Sequence, residues 1–127
     1  MNAQGGSIVL ISSTAALHGL VNHEAIAAAK GGIVGLVRSA AATYADKRLR
    51  FNAVAPGLIA TSLTAQLTAN EENLRVSKLM HPLGRIGTLK DIVAAILFFL
   101  NPDNDWVTGQ VLAVDGGLSS AKSRIRL

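Results

Sequence analysis

The chain has 127 residues, half of them apolar, which is enough for one core and too few for two ordinary domains. It has no cysteine, which removes disulfides and thiolate metal sites and suits a reducing, cytoplasmic compartment. The formal charge of +4 is concentrated in a basic tail, with Lys122, Arg124 and Arg126 in the last six residues, and aromatic residues make up only 4%, so nucleic acid is not an expected partner. No apolar run reaches the roughly eighteen residues of a membrane span, and "MNAQGG" does not read as a signal peptide.

Residues 7–12, "SIVLIS", are apolar and β-branched and close on small polar residues, which predicts a strand buried on both faces. An alanine-rich helix is expected over about 23–46, entered after Asn22 with Glu24 in its first turn. A second strand, "LRFNAVAPG" at 49–57, ends at Pro56 and Gly57, because proline cannot continue a ladder and glycine permits the turn. The more polar stretch 62–80 predicts one or two helices with a loop. "TLKDIVAAILFFL" at 88–100 opens with Thr88 and Asp91 in a capping arrangement and is apolar almost all round, as in a buried helix. "GQVLAVDGG" at 109–117 predicts a third strand, and residues 118–127 form a mobile basic tail.

This alternation predicts an α/β fold, a partial Rossmann-like doubly wound sheet of about three parallel strands with flanking helices. Parallel strands gather their C-terminal ends on one edge, where open α/β sheets bind ligands. Ser12, Ser13, Pro56 to Thr61, and Asp115 to Gly117 all fall there.

Ser12 and Ser13 offer hydroxyls to a cleft or, more commonly, to loose backbone groups at a strand end. Lys30 stands mid-helix among small apolar residues, either facing solvent or serving a site. Gly31, Gly32 and Gly35 each cost the helix about 1 kcal/mol against alanine, so close approach of another helix or of backbone is expected to compensate. His23 shares a helical face with Ile26 and Lys30. A first-turn histidine is more often a surface residue. The three histidines have no metal-ligand spacing, so no metal site is expected.

Five segments in order, "GSIVLISSTAALHG", "AAAKGGIVGLVRSAA", "RFNAVAPGLIATSL", "HPLGRIGTLKDIVAAILFFL" and "VTGQVLAVDGG", resemble the C-terminal half of a short-chain dehydrogenase/reductase. The resemblance covers residues 1–117 as half of a Rossmann domain and implies an oxidoreductase using NAD or NADP on a small-molecule alcohol or carbonyl. It implies that Ser13 polarises the carbonyl and that Lys30 holds the nicotinamide ribose and lowers the pKa of a tyrosine. Pro56, Gly57, Ile59 and Thr61 match the segment that packs on the nicotinamide. Asn52 and Asp115 match positions that support the sheet.

Two departures follow. The family's tyrosine lies thirteen residues after the serine and four before the lysine, and here that position is Ile26, which has no ionisable atom. The only tyrosine, Tyr44, is fourteen residues beyond Lys30, roughly 21 Å along the same helix. The glycine-rich dinucleotide turn is also missing, since "GGIVG" at 31–35 sits inside a helix and does not follow a strand. The expectation is therefore an oxidoreductase half, inactive on its own. The alternatives are a catalytically dead homologue used for binding or assembly, and a truncated gene product. An uncovered strand edge over residues 7–12 implies self-association or pairing with a complementing N-terminal half.

Overall fold

The computed structural model describes residues 5–124. Three strands, β1 (Gly6–Ile11), β2 (Leu49–Pro56) and β3 (Val111–Val114), form one sheet in the order β1-β2-β3. Both pairings are parallel, with Gly6 opposite Leu49 through Ile11 opposite Val54, and Ala53 opposite Val111 through Pro56 opposite Val114. The long helix α1 (Glu24–Thr43) crosses from β1 to β2. The return from β2 to β3 carries α2 (Ala65–Ala69), α3 (Glu71–Met80) and α4 (Leu89–Leu100). Asn70 separates α2 from α3 and caps α3, its side-chain oxygen accepting from the backbones of Glu72 and Asn73.

Alternation along the strands divides the core between the two faces of the sheet. Ile8 and Leu10 of β1, with Phe51 and Ala53 of β2, pack under Val37 and Ala41 of α1. Val9 and Val54 face the other way, against Ile92, Ala95 and Phe99 of α4. The crossover is anchored by polar staples. Asn52, fully buried in β2, donates to the Val107 carbonyl and accepts from the Gln110 backbone, fixing the entry to β3. The Arg50 guanidinium donates to the carbonyls of Val107 and Phe99 at 3.0 Å, which satisfies the last turn of α4.

Three expectations need correction. Helix α4 is not buried all round: Ile92, Ala95 and Phe99 are, but Leu89, Val93 and Leu97 form an exposed apolar stripe at four-residue spacing. An apolar sequence shows what a helix can bury and is silent about how many layers are present to cover it. The glycines of α1 meet no compensating neighbour, since a Cβ built at Gly31, Gly32 or Gly35 finds nothing within 4 Å. Val37 and Ala41 are the helix's buried residues, with Ile33 and Ala40 packed beside them, and its glycine face is open. By length and composition α1 also qualifies as a membrane span, as core helices of α/β domains do; it packs on the sheet here. The Thr88–Asp91 pairing is present, with the carboxylate accepting the Thr88 N–H at 2.8 Å, and Arg85 joins it. Of the tail, Ser123 donates to the Leu79 carbonyl at 3.0 Å, while Arg126 lies outside the described residues.

Candidate active site

The sheet brings the ends of all three strands to one edge, and the first of them presents the two serines. Ser13 caps the short 3₁₀ turn Thr14–Ala16, its Oγ accepting from the Ala15 N–H at 3.1 Å. That bond uses a lone pair and leaves the hydroxyl proton available to an incoming oxygen. Ser12 is buried and points elsewhere, donating to the Lys30 carbonyl at 2.8 Å. The Lys30 side chain returns to the strand, with Nζ 3.1 Å from the Ile11 carbonyl oxygen. Strand end and helix are thus clasped twice at the point where the sequence places serine and lysine.

Ile26 lies one turn before Lys30 and is 43% exposed, so the described residues leave the position the spacing marks partly open. His23 occupies the helix N-cap position and its Nδ1 lies 2.7 Å from the Val21 carbonyl. Asn22 before it adopts a left-handed φ of 61°. Tyr44 is the C-cap of α1 and stacks on Phe51 with ring centroids 5.5 Å apart, at the far end of the helix from the site.

The second wall is the segment after β2. Pro56 ends the strand opposite Val114, and the Gly57 N–H donates to the Val114 carbonyl at 3.1 Å. The next amide, Leu58, donates to Nε2 of His81 at 3.3 Å, while Nδ1 of the same ring lies 2.6 Å from the Ser77 carbonyl. A ring that accepts at Nε2 and donates at Nδ1 is the neutral tautomer. His81 therefore pins the segment to the end of α3. Ile59 makes a parallel bridge with Gly87, where an added Cβ would run into the Ile59 side chain. The Thr61 hydroxyl accepts from the Thr64 backbone at 3.2 Å and its own N–H donates to Thr64 Oγ1 at 2.9 Å, a closed local turn. A cavity of about 460 Å³ beside this segment is lined by Ile59, His81, Asp91 and Asp115; neither Ser13 nor Lys30 reaches it.

Asp115 ties the two walls together. Its carboxylate accepts from the Thr14 hydroxyl beside Ser13 and from the backbones of Gly117 and Ser119 at 3.0 and 3.1 Å. Burial pushes this carboxyl up, and the hydrogen bonds from Ser119, Thr14 and Gly117 outweigh it, so the group lies below its ordinary value. The resemblance marks Asp115 as a support, and the strand-end reading of Ser12 as a partner for a loose backbone group holds; the sequence gives no signal for Thr14, which acts through the Asp115 carboxylate, or for His81, which reaches the Leu58 amide.

A family profile described as Enoyl-(Acyl carrier protein) reductase matches residues 1–119. The fold superposes on a short-chain type dehydrogenase/reductase from Mycobacterium ulcerans with a TM-score of 0.87 at 34% identity, covering 94% of this chain and 43% of that one. The chain belongs to the short-chain dehydrogenase/reductase family. Among curated relatives, the 3-oxoacyl-(acyl-carrier-protein) reductase of Mus musculus is 44% identical over 118 residues, 93% of this chain and 47% of that protein. The FabG reductase of the same description from Chlamydia muridarum is 40% identical over 119 residues, covering 94% and 47%. A solved structure of ElxO with NADP bound gives a TM-score of 0.85 at 37% identity, covering 91% and 47%. The chain spans about half the length of these short-chain dehydrogenase/reductase relatives.

Proposed function

We propose that this chain is the nicotinamide-end half of an NAD(P)-dependent oxidoreductase, residues 1–117 forming the C-terminal part of its Rossmann domain. An N-terminal half, in the same or another chain, would complete it. The reaction class is hydride exchange between a nicotinamide and an alcohol or carbonyl carbon, with a proton leaving or joining the oxygen. Ser13 is suited to polarise that oxygen through a hydrogen bond from its free hydroxyl, and Lys30 to hold the ribose. Pro56, Gly57, Ile59 and Thr61 supply the wall on which the nicotinamide packs. The fit is partial. The strand ends, the serine and the lysine suit the nicotinamide end, whereas no described strand is followed by a glycine-rich turn that opens a helix to seat a pyrophosphate; the Gly116–Gly117 turn after β3 leads into no described helix.

The observation that supports this reading is the clasp of Ser12 and Ile11, the two residues before Ser13, on Lys30, with Ile26 one turn before the lysine on the same helix. Without a phenol the proton step has no group here. General acid–base catalysis is typically worth about 10² to 10⁴ in rate, so the chain by itself is inactive and a completed one is slow. The absence of cysteine suits a cytoplasmic oxidoreductase, and the open faces of α1 and α4 suit an oligomer.

The test is a fusion of this chain behind the N-terminal half of the Mus musculus relative, with and without Ile26→Tyr, assayed with NADPH and a panel of small ketones. Tyrosine should raise turnover by about a hundredfold or more. Equal turnover in the two fusions would show that the missing phenol is not the defect. A second reading, a binding or assembly role without catalysis, is favoured by the same Ile26 and predicts no turnover in either fusion.

A further inference from the structure

The outer side of β1 and the Lys30 ammonium occupy the same few ångströms. The Ser12 N–H donates to the Val54 carbonyl at 2.8 Å and the Gly6 N–H to the Arg48 carbonyl at 3.2 Å. In a parallel ladder a residue directs its N–H and its C=O to the same side. The even-numbered residues of β1 therefore face β2, and Ser7, Val9 and Ile11 turn their backbone groups to the opposite side. Among the described residues β1 pairs with no strand there.

That side is nonetheless partly closed. Its last carbonyl, Ile11, accepts from Lys30 Nζ at 3.1 Å, and the lysine's own carbonyl is held by Ser12. Lysine is one of the residues by which proteins discourage pairing at an open sheet edge. Here the guarding ammonium is also the group suited to the ribose, and in this position one of its three donors is spent on the Ile11 carbonyl.

We infer that addition of a parallel strand to β1 and release of the Lys30 ammonium are one coupled event. This rests on the reading that an N-terminal half completes the site. The occupant is a strand of that half: the relatives are about twice as long as this chain, and the groups on offer are those of a parallel edge. The arriving strand donates an N–H to the Ile11 carbonyl, displaces the lysine, and frees it for the cofactor. The unpaired half is thereby kept in a state where its ribose-binding group is engaged with its own backbone. Assembly and cofactor binding then favour one another, as linkage requires.

The experiment compares the 127-residue chain with the same chain fused behind the N-terminal half of the Mus musculus relative, both labelled for NMR. Proton exchange of the Lys30 ammonium is read against Lys78 and Lys90, which are exposed, and amide exchange is read at Val9 and Ile11. In the single chain the Lys30 ammonium should exchange about fivefold more slowly than the references, as one net hydrogen bond implies. In the fusion the Val9 and Ile11 amides should become protected and the Lys30 rate should rise to that of the references, then fall again when NADPH is added. Amide protection with Lys30 still slow would overturn the coupling while leaving the completed half-site intact. No gain of amide protection would mean that no strand has paired, which overturns the reading beneath the coupling and the coupling with it.

Discussion

Gly57 lies where the two walls of the site touch. A Cβ added to it would stand 2.9 Å from the Asp115 Cβ, 3.0 Å from the Asp115 Cα and 3.0 Å from His81 Nε2. None of these atoms is the loose end of a flexible chain. Asp115 is held by Thr14, Gly117 and Ser119, and the imidazole is fixed between Ser77 and Leu58. Gly57→Ala therefore forces strand ends apart, and overpacking of this kind costs about 1–3 kcal/mol. The same substitution at Gly35 should act in the opposite direction. It lies in the middle of α1 with nothing within 4 Å of the new methyl, so alanine should stabilise by about 0.5–1 kcal/mol through helix propensity. Urea unfolding followed by circular dichroism at sub-micromolar protein reads both as shifts in midpoint with an unchanged slope. A neutral Gly57→Ala would refute the packing argument, and a destabilising Gly35→Ala at that dilution would mean the α1 face is covered after all.

Asp115 gives a pH prediction. Its folded pKa is lowered relative to the ordinary 3.8, so its contribution is fully present above that value and is lost as pH falls through the folded pKa. Asp115→Asn should destabilise the chain by about 1–3 kcal/mol at pH 7, because the Ser119 amide loses its acceptor, and should flatten the decline below pH 4; an acid limb identical to the parent's would be inconsistent. Phe99 is 2% exposed between α4 and the sheet, and Phe99→Ala should cost about 3–5 kcal/mol in the same unfolding assay; a loss below about 1 kcal/mol would mean that face repacks. The uncovered β1 side and apolar stripes predict self-association at micromolar concentration by sedimentation; a well-folded monomer there would contradict this.

The spacing from Ser13 to Ile26 to Lys30 is legible because chain order along a strand and a helix becomes spatial order directly. The three strands and the capped α4 are legible for the same reason, since period and punctuation are local properties. The exposure of Leu89, Val93 and Leu97 is not, because apolar character says nothing about whether a covering layer is present in the chain. Nor is the inward turn of Lys30. It depends on an outward carbonyl at Ile11, and that orientation follows from the β1–β2 register rather than from neighbours in sequence. His81 is hidden similarly: its partners, Leu58 and Ser77, belong to two different segments that only the crossover brings together. The open glycines invert a sound local argument. Their helix penalty is real, and the compensating neighbour is not among the described residues.

Calorimetric titration with NADPH tests the half-site account most directly. The 127-residue chain should show no saturable binding up to millimolar cofactor, and the fusion behind the N-terminal half of the Mus musculus relative should bind it with one site per chain. Saturable binding by the 127-residue chain alone would contradict the account.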